Sequence, residues 1–500
     1  MRPPILLALT FLLSAPIWAQ DTVKADQAKS DNELIPTRAK VPEALLKNGY
    51  VQRGDSLTFK EKVKAISLTD VIEKGIRANY TEQERKHEKE ILDIGWEDSW
   101  SDFWMPQLTL TLSTSEQRVG TLKKGGIENS RTSDVPGGVL GLSMGDYTVF
   151  NWGKDYLAFL NTKTTYNRST KKLKELRRDL KHDLIIKYFE VAAFQEIQTL
   201  RKEQLRHSSF VYRLNREKIT LKKIRKQDYY QARAEYLRAQ TDFHQSKVDA
   251  SVVEEELAEQ ITDAPGTKYL LRERLVYQPL NTTIDESMAM VSKSNTIVLD
   301  ALSSLTNAKR NYDLTLRENL PLPKFTVNLG AYNHSFGQNQ LQTRYETNAG
   351  RDIELVATIN ASWTITGSGG FFNGRKTRKA SLQKSLALKK LQNATHGSKS
   401  DIRIHYRKIR HLQNQMTILR ARTSNLQKTF DTILENYLNK RARYNDFHHA
   451  LNEKIDVEIL MEQTKFLHAR EKLLLAKTIG IEDFPGENFE KMAKPLDKEK

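Results

Sequence analysis

Several short segments carry residue types that could support chemistry, but each lacks a residue that the chemistry needs. Residues 369–377 lie between a predicted strand and a predicted helix and nearly match a phosphate-binding loop, yet Arg375 stands where lysine must directly follow the glycine. His87 begins a pattern typical of a zinc-protease helix, but the second histidine is missing. His448 and His449 are adjacent, so on a helix they point about 100° apart and do not form a ligand pair.

The sequence therefore predicts neither catalysis nor a bound cofactor or metal ion, and we expect no enzyme. The 500 residues include no cysteine, which excludes disulfides, thiolate metal sites and cysteine nucleophiles. No nucleophile elbow and no pair of catalytic carboxylates is evident. The formal charge of +17 would suit a nucleic-acid partner, but the basic residues are spread along predicted helices and no nucleic-acid-binding motif accompanies them.

The N terminus has the pattern of a secretory signal peptide. Arg2 precedes the apolar run Ile5–Leu13, and small residues then predict cleavage after Ala19. A membrane anchor would need roughly 20 apolar residues, and Pro16 interrupts the run too early. Beyond residue 20 there is no run of 18 apolar residues, so we expect no spanning helix in the mature chain. If the mature chain enters a bilayer, it must do so as a closed β-barrel.

The rest of the sequence is internally duplicated. Two helix-capping boxes, Ser67–Asp70 and Thr283–Glu286, lie 216 residues apart. Four further pairs have offsets between 216 and 221 residues: Asn79 with Asn295, Pro106 with Pro323, Gly153 with Gly374, and Asp228 with Asp446. The resulting predicted organisation is a signal peptide (1–19), a polar extension (20–62), a first repeat (63–262), a linker (263–282), a second repeat (283–480) and a charged C-terminal tail (481–500). Residues 486–500 of this tail are expected to be disordered.

Each repeat contains one predicted β-hairpin, at residues 107–150 and 324–366. Apolar and polar residues alternate along the strands, most clearly over Ile353–Ile365. Aromatic residues such as Trp104 and Trp363 stand at strand ends. This combination is typical of outer-membrane barrel strands, although a periplasmic sheet with one face on a core would give the same alternation.

Each repeat also contains a very long predicted helix, at 155–218 and 375–438, followed by a returning helix. The second long helix has a sustained 3,4 spacing of apolar residues, which predicts a supercoiled helix packed on partners. At ~1.5 Å per residue each helix spans roughly 95 Å. Four strands cannot close a barrel, because the smallest bacterial examples have about eight. We therefore expect a homo-oligomer whose chains share one barrel.

In their order, spacing and duplication these segments resemble the TolC-like outer-membrane efflux protein family. The matching segments are Leu68–Asp70 with Asn79, Met105–Leu108, Phe150–Lys154, Phe371–Arg375, Asp228–Ala232 and Asp446–Ala450. The resemblance covers residues 63–480. It implies a mainly α fold with a membrane β-barrel, in which three chains form a shared 12-stranded barrel and a long α-helical coiled-coil periplasmic tunnel.

The resemblance implies a passive channel in the bacterial outer membrane with a large periplasmic part. Such a homotrimer is the exit duct of a tripartite efflux or type I secretion system, and it works with a periplasmic adaptor and an inner-membrane pump. We expect no nucleic-acid partner. The alternatives that the sequence leaves open are an exported trimeric coiled-coil scaffold or adhesin, or a periplasmic adaptor, each without channel activity.

The resemblance also implies a gate at the periplasmic helix turns. By position, Asp228 and Tyr437 would form a hydrogen-bonded link, and Asp446 would stand at the narrowest ring of the tunnel. The alternative is that each aspartate only caps its returning helix. The family's turns usually carry glycine six residues before the aspartate, whereas this chain has Lys222 and Lys440 there.

The same turns are rich in basic residues that could contact an acidic adaptor. The basic turn residues are Lys222, Lys223, Arg225, Lys226, Lys440, Arg441 and Arg443. In a trimer their positive field would attract acidic adaptor hairpins or anionic cargo. The alternative is a solvated charged turn in a generally basic protein.

Overall fold

The computed structural model describes residues 50–53, 56–59, 62–114, 121–123, 126–128, 138–222, 224–336, 354–365, 371, 373–439 and 441–495. The chain divides into two units, residues 1–60 and 61–500. In the first unit, β1 (Tyr50–Arg53) pairs antiparallel with β2 (Ser56–Phe59). The predicted signal peptide, 1–19, lies outside the described residues.

Eight helices in the described part of the second unit repeat one pattern twice. The first set is α1 (Leu68–Ala78), α2 (Tyr80–Trp104), α3 (Lys154–Thr220) and α4 (Lys226–Gln260). The second set is α5 (Ile284–Ser294), α6 (Thr296–Glu318), α7 (Gly374–Leu438) and α8 (Tyr444–Ile479). Among these residues, no helix combines the length and the apolar character needed to cross a membrane.

Equivalent capping residues stand at the helix starts of the two repeats. The predicted capping boxes are present at Ser67 and Thr283, which begin α1 and α5. After each of these helices an asparagine caps the next one and donates its amide to the last turn of a returning helix. Asn79 Nδ2 lies 2.9 Å from the Gln260 carbonyl oxygen, and Asn295 Nδ2 lies 2.5 Å from that of Thr478. Each side chain thus satisfies orphan groups at two helix ends.

Both predicted hairpins contribute to one antiparallel sheet. Its strands are β4 (Thr109–Thr114), β7 (Gly138–Ser143), β8 (Tyr147–Phe150), β11 (Lys324–Phe336) and β12 (Glu354–Ser362). The order is β4–β7–β11–β12, and β8 also pairs with β11 after a break at Gly145, whose φ is 64°. A short pair, β5 (Thr121–Lys123) with β6 (Gly126–Glu128), lies between β4 and β7 in sequence.

The strand register aligns an apolar row across the sheet. Leu110 is opposite Leu142, Leu142 is opposite Ala331, and Ala331 is opposite Leu355. These side chains share a face because residues directly opposite in neighbouring strands point the same way. Leu110 is 68% exposed and Leu355 is 81% exposed. The alternation predicted from the sequence is therefore present, and its apolar face is uncovered in the single chain.

The helices next to the sheet follow the strand order. α2 packs on α3, α3 on α6, and α6 on α7. Further along, α3 and α4 form one antiparallel helical hairpin, α7 and α8 form another, and α3 packs on α8. Most positions of the predicted 3,4 seam in α7 are buried, namely Ile409, Leu412, Met416, Leu419, Phe430 and Tyr437.

The largest apolar cluster, here called the central core, forms where the two repeats meet. It includes Tyr188 and Phe189 of α3 and Leu473 of α8. Two small sheets border the helices: β3 (Lys62–Ile66) pairs in parallel with β9 (Thr267–Leu271), and β10 (Glu273–Leu275) pairs antiparallel with β13 (Ala493–Pro495). The residues predicted as a linker, 263–282, therefore contain two strands.

The C-terminal segment corrects a prediction. Residues 486–500 are predicted to be disordered, but their described part, 486–495, packs against the central core, with a 3₁₀ turn at Phe489–Met492 followed by β13. Phe484, Phe489 and Met492 are almost fully buried. The physical reason is that these three apolar side chains insert into the core, while the charged residues between them stay outside or are paired. The many charged residues of this segment made it resemble a disordered tail, although its apolar residues are spaced to reach the core.

Candidate functional site

The turns of the two helical hairpins form a second structured region, here called the turn site (residues 211–232 and 430–450). The two turns lie side by side because α3 packs on α8. Their shared apolar cluster is centred on Val211, Phe430, Tyr437 and Phe447. Of the residues predicted to form a gate, Tyr437 belongs to this cluster.

Tyr437 lies in the middle of the turn site and is only 6% exposed. Its ring stacks on Phe447 with 5.2 Å between ring centres, and the Lys218 ammonium lies 5.4 Å from the ring centre. Its hydroxyl donates to Asn215 Oδ1 at 3.2 Å. Burial raises the pKa of the phenol, the bond to Asn215 opposes the rise, and the charge of Asp228 adds to it.

The predicted link between Asp228 and Tyr437 is not a direct hydrogen bond in the described chain. The phenol bonds Asn215 instead, and Asp228 acts on it through its charge from the first turn of α4. Asp446 is exposed and accepts a hydrogen bond from the Arg443 backbone N–H at 3.2 Å. Asp446 therefore has the capping geometry that was the alternative to a gate role.

Lys222 shows how the first turn forms without glycine. Its φ is 54°, in the left-handed region, and its backbone N–H donates to the Ile219 carbonyl at 2.9 Å. Non-glycine residues adopt this conformation at a cost of roughly 1–2 kcal/mol. The lysine thus takes the backbone geometry that glycine would adopt freely. The equivalent Lys440, and Lys223 beside Lys222, lie outside the described residues.

Comparison with solved structures identifies the architecture. The chain is similar to the outer membrane protein VceC from Vibrio cholerae, with a TM-score of 0.68, 12% identity and coverage of 83% of this chain and 96% of that one. It is similar to the Campylobacter jejuni CmeC outer membrane channel, with a TM-score of 0.64, 16% identity and coverage of 85% and 88%. It is also similar to the Neisseria gonorrhoeae MtrE outer membrane channel in its open state, with a TM-score of 0.64, 14% identity and coverage of 83% and 89%. The chain has the TolC-like fold.

The identification rests on structure, since no protein-family model and no curated protein sequence matches the chain. It confirms the resemblance that the spacing of short segments indicated. Two of these solved structures, CmeC and MtrE, are outer membrane channels, and the third, VceC, is an outer membrane protein. Within the described residues, no group of histidine, aspartate and glutamate side chains could hold a metal ion.

The basic residues predicted at the turns of this TolC-like fold are available for contact. Those that the structure describes are exposed, and none forms an ion pair with another described residue. They are Lys222, Arg225, Lys226, Arg441 and Arg443. Arg225 and Arg443 precede the first residues of α4 and α8, so they stand at the start of each returning helix.

A polar chain that the sequence did not reveal connects three helices near the turns. Gln204 of α3 donates to Asn452 of α8 at 2.8 Å, and Asn452 bonds His448. His448 Nε2 lies 3.1 Å from Glu235 Oε1 of α4. Burial lowers the pKa of His448, while the charge of Glu235 opposes this shift. His448 thus joins a structural network rather than a ligand pair.

Asn215 is the turn-site residue that sequence reasoning missed. A signal for it exists, because the buried residues of α3 continue the 3,4 spacing through polar positions. These residues are Gln204, Ser208, Val211 and Asn215. A search for apolar residues alone describes this helix as irregular, whereas its seam is regular and partly polar.

Proposed function

We propose that the chain is the outer-membrane exit duct of a tripartite efflux or type I secretion system. Three chains would form a 12-stranded barrel continued by a helical tunnel in the periplasm, and an adaptor and an inner-membrane pump would supply cargo and energy. The TolC-like fold supports this role, since the similar solved structures of CmeC and MtrE are outer membrane channels. The chain itself would be a passive conduit.

The observation that carries the proposal is the four-strand-wide sheet with an uncovered apolar face. The row through Leu110 and Leu355 is exposed, and the outermost strands, β4 and β12, have no further partner among the described strands. A soluble protein would not normally leave such a face and two such edges open. Lipid on the face and neighbouring chains on the edges would cover both.

The direct test combines fractionation with single-channel recording. The mature protein should fractionate with the outer membrane, migrate as a trimer in unboiled samples and give conductance steps in planar bilayers. A detergent-independent soluble oligomer without conductance would instead support the scaffold or adaptor alternatives. A matched pair of variants locates the lipid face: Leu110→Asp should abolish membrane assembly, whereas Thr111→Asp, on the opposite face of β4, should retain it.

The turn site would be the gate of this duct. The buried phenol of Tyr437 and its bond to Asn215 would hold the hairpin turns in one closed arrangement, with Asp228 and Asp446 close to the passage. Removing the hydroxyl should therefore favour opening. Tyr437→Phe should raise the open probability of the channel, while Tyr230→Phe, an exposed tyrosine near the same turn, should not. Equal open probability in both variants would remove the gate assignment from Tyr437.

The exposed basic residues of the turns would contact an acidic adaptor. Replacing Lys222, Lys223 and Lys440 with glutamate should weaken adaptor association at low salt, because opposite charges attract over about 10 Å at 0.1 M ionic strength. A control with the same charge change, Lys202→Glu with Arg206→Glu and Lys247→Glu, alters exposed residues on the helical shafts. Unchanged association in the turn variant would show that these charges only solvate the turn.

A further inference from the structure

The two outermost helices beside the sheet, α2 and α7, carry opposite charges. α2 contains eight acidic residues and three lysines or arginines. Residues 374–397 of α7 contain seven lysines or arginines and no acidic residue. Since α2 packs on α3 at one flank and α7 packs on α6 at the other, the acidic and basic helices lie at opposite ends of one layer.

The free face of α2 has a coiled-coil spacing. Residues at 3,4 intervals along it are all exposed: Glu84, His87, Ile91, Ile94 and Asp98. Ile91 is 68% exposed and Ile94 is 56% exposed. The apolar pair Ile91 and Ile94 is flanked by His87 and Asp98, and Glu84 follows one step beyond His87. Exposed apolar residues at this spacing are typical of a seam that packs on a second helix. No helix of the described chain covers it.

The free face of α7 has the complementary pattern. Its exposed residues at 4,3 intervals are Arg375, Lys379, Leu382, Leu386 and Lys389. Leu382 and Leu386 are 62% and 56% exposed, so this helix also places an apolar pair between charges. In the described chain neither Arg375 nor Lys379 has an ion-pair partner.

Direction and register make these two faces fit one another. α2 runs toward the sheet and α7 runs away from it, so they would meet antiparallel when the edges of two copies come together. Placing Ile91 opposite Leu386 also places Asp98 opposite Lys379 and Glu88 opposite Lys389, because antiparallel positions advance in opposite directions. In this register one apolar contact, Ile91 with Leu386, coincides with both charge pairs, and Ile94 lies opposite Gln383, next to Leu382.

We propose that α2 of one copy packs against α7 of the next, and that their opposite charges set the register of the ring. This inference rests on the proposed trimeric duct. Contact between two α2 faces, or between two α7 faces, would bring like charges together. The charge pattern thus disfavours a two-fold dimer and favours a head-to-tail ring. The same step would join β4 of one copy to β12 of the next.

Charge reversal on each helix tests the inference. An α2 variant combines Glu88→Lys, Asp98→Lys and Asp102→Lys, and an α7 variant combines Arg375→Glu, Lys379→Glu and Lys389→Glu. At 0.05 M salt each variant should lower the trimer fraction in detergent at least tenfold, and the chain with all six changes should recover it. The control Glu217→Lys with Glu259→Lys and Asp285→Lys, which alters exposed residues elsewhere, should assemble like the unmodified chain.

Two further measurements keep the result unambiguous. A mixture of the α2 and α7 variants should not form trimers, because alternating copies close only rings of even number. High salt should partly restore assembly of each single-helix variant, because it screens the new repulsion.

The outcomes separate the two proposals. Folded variants, judged by circular dichroism, that both trimerise like the unmodified chain would overturn the charge pairing alone. Six changes that fail to restore trimers, in a chain that is folded, would overturn it as well. An unmodified chain that stays monomeric and gives no conductance would remove the proposed duct and the pairing together.

Discussion

The central core and the turn site differ in the burial and pairing of their charged side chains. In the central core Lys472 is completely buried, and its ammonium donates to Glu487 Oε2 at 2.6 Å and to the carbonyl oxygens of Gln278 and Pro279 at 3.2 and 3.4 Å. At the turn site Lys222, Arg225, Lys226, Arg441 and Arg443 are exposed, and none of them forms an ion pair with another described residue. The comparison indicates that the centre holds the repeats and the C-terminal segment in one arrangement, while the turns keep their charges available to a partner.

The largest effect is expected at Lys472, which connects α8, the segment after β10 and the C-terminal segment. Lys472→Met leaves the carboxylate of Glu487 without its cation and removes the donor to the backbone carbonyls of Gln278 and Pro279. Breaking one side of such a buried pair costs about 3–5 kcal/mol. Denaturant unfolding in detergent, followed by circular dichroism, should show a loss of this size.

A lysine one and a half turns further along α8 provides the control. Lys477 pairs with Asp183 at 2.9 Å, but both side chains are more than a third exposed. Lys477→Met should cost no more than about 1 kcal/mol, as for other solvated pairs. Equal losses in the two variants would contradict the view that the central pair is the stronger constraint.

His468 gives the central core a dependence on pH. The side chain is fully buried, neither ring nitrogen has a hydrogen-bond partner among the described residues, and its ring lies 4.8 Å from that of Tyr277. Burial, aided by the charge of Lys472, lowers its pKa to about 3. Below an unfolded pKa of about 6.5 the unfolded chain binds a proton that the folded chain does not. The folded state should therefore lose about 1.4 kcal/mol per pH unit, or roughly 2 kcal/mol at pH 5.

The matched variant for this prediction is His468→Leu. Other histidines with lowered pKa values, such as His182 and His448, also titrate, so only the difference between the two proteins is informative. Unfolding free energies measured between pH 7 and pH 5 should fall more steeply in the unmodified protein. Parallel pH profiles would show that His468 is protonated without disturbing the core.

The same two regions show which features could be predicted from sequence. Capping boxes, alternating strands and the seam of α7 are local patterns, and the structure contains all of them. The partners of Tyr437 and Lys472 are not local: Asn215 lies 222 residues before Tyr437, and Lys472 resembles any surface lysine until its contacts are known. Packing between segments that are distant in sequence decides whether a polar residue is buried. The periodicity within one segment carries no information about that packing.

A smaller effect is expected from the hydrogen bond within the turn site. The bond from Tyr437 to Asn215 joins α7 to α3 inside a small apolar cluster, and a neutral buried bond contributes about 1 kcal/mol. A double-mutant cycle with Tyr437→Phe and Asn215→Ala should give a coupling energy of this size in denaturant unfolding. The cycle Tyr437→Phe with Asp228→Ala should give a smaller value, since that contact is only a charge effect. A larger coupling energy between Tyr437 and Asp228 than between Tyr437 and Asn215 would instead support the Asp228–Tyr437 link that the family resemblance implies.

The smallest expected effect is a gain in stability at Lys222. Its left-handed backbone costs roughly 1–2 kcal/mol for a residue with a side chain, whereas glycine loses about 0.5–1 kcal/mol through the greater freedom of its unfolded state. Lys222→Gly should therefore stabilise the fold by about 0.5 kcal/mol. Lys226→Gly, in the first turn of α4, should destabilise it, because glycine is a poor helix former. A destabilised Lys222→Gly variant would mean that the lysine side chain contributes more to the turn than its backbone strain removes.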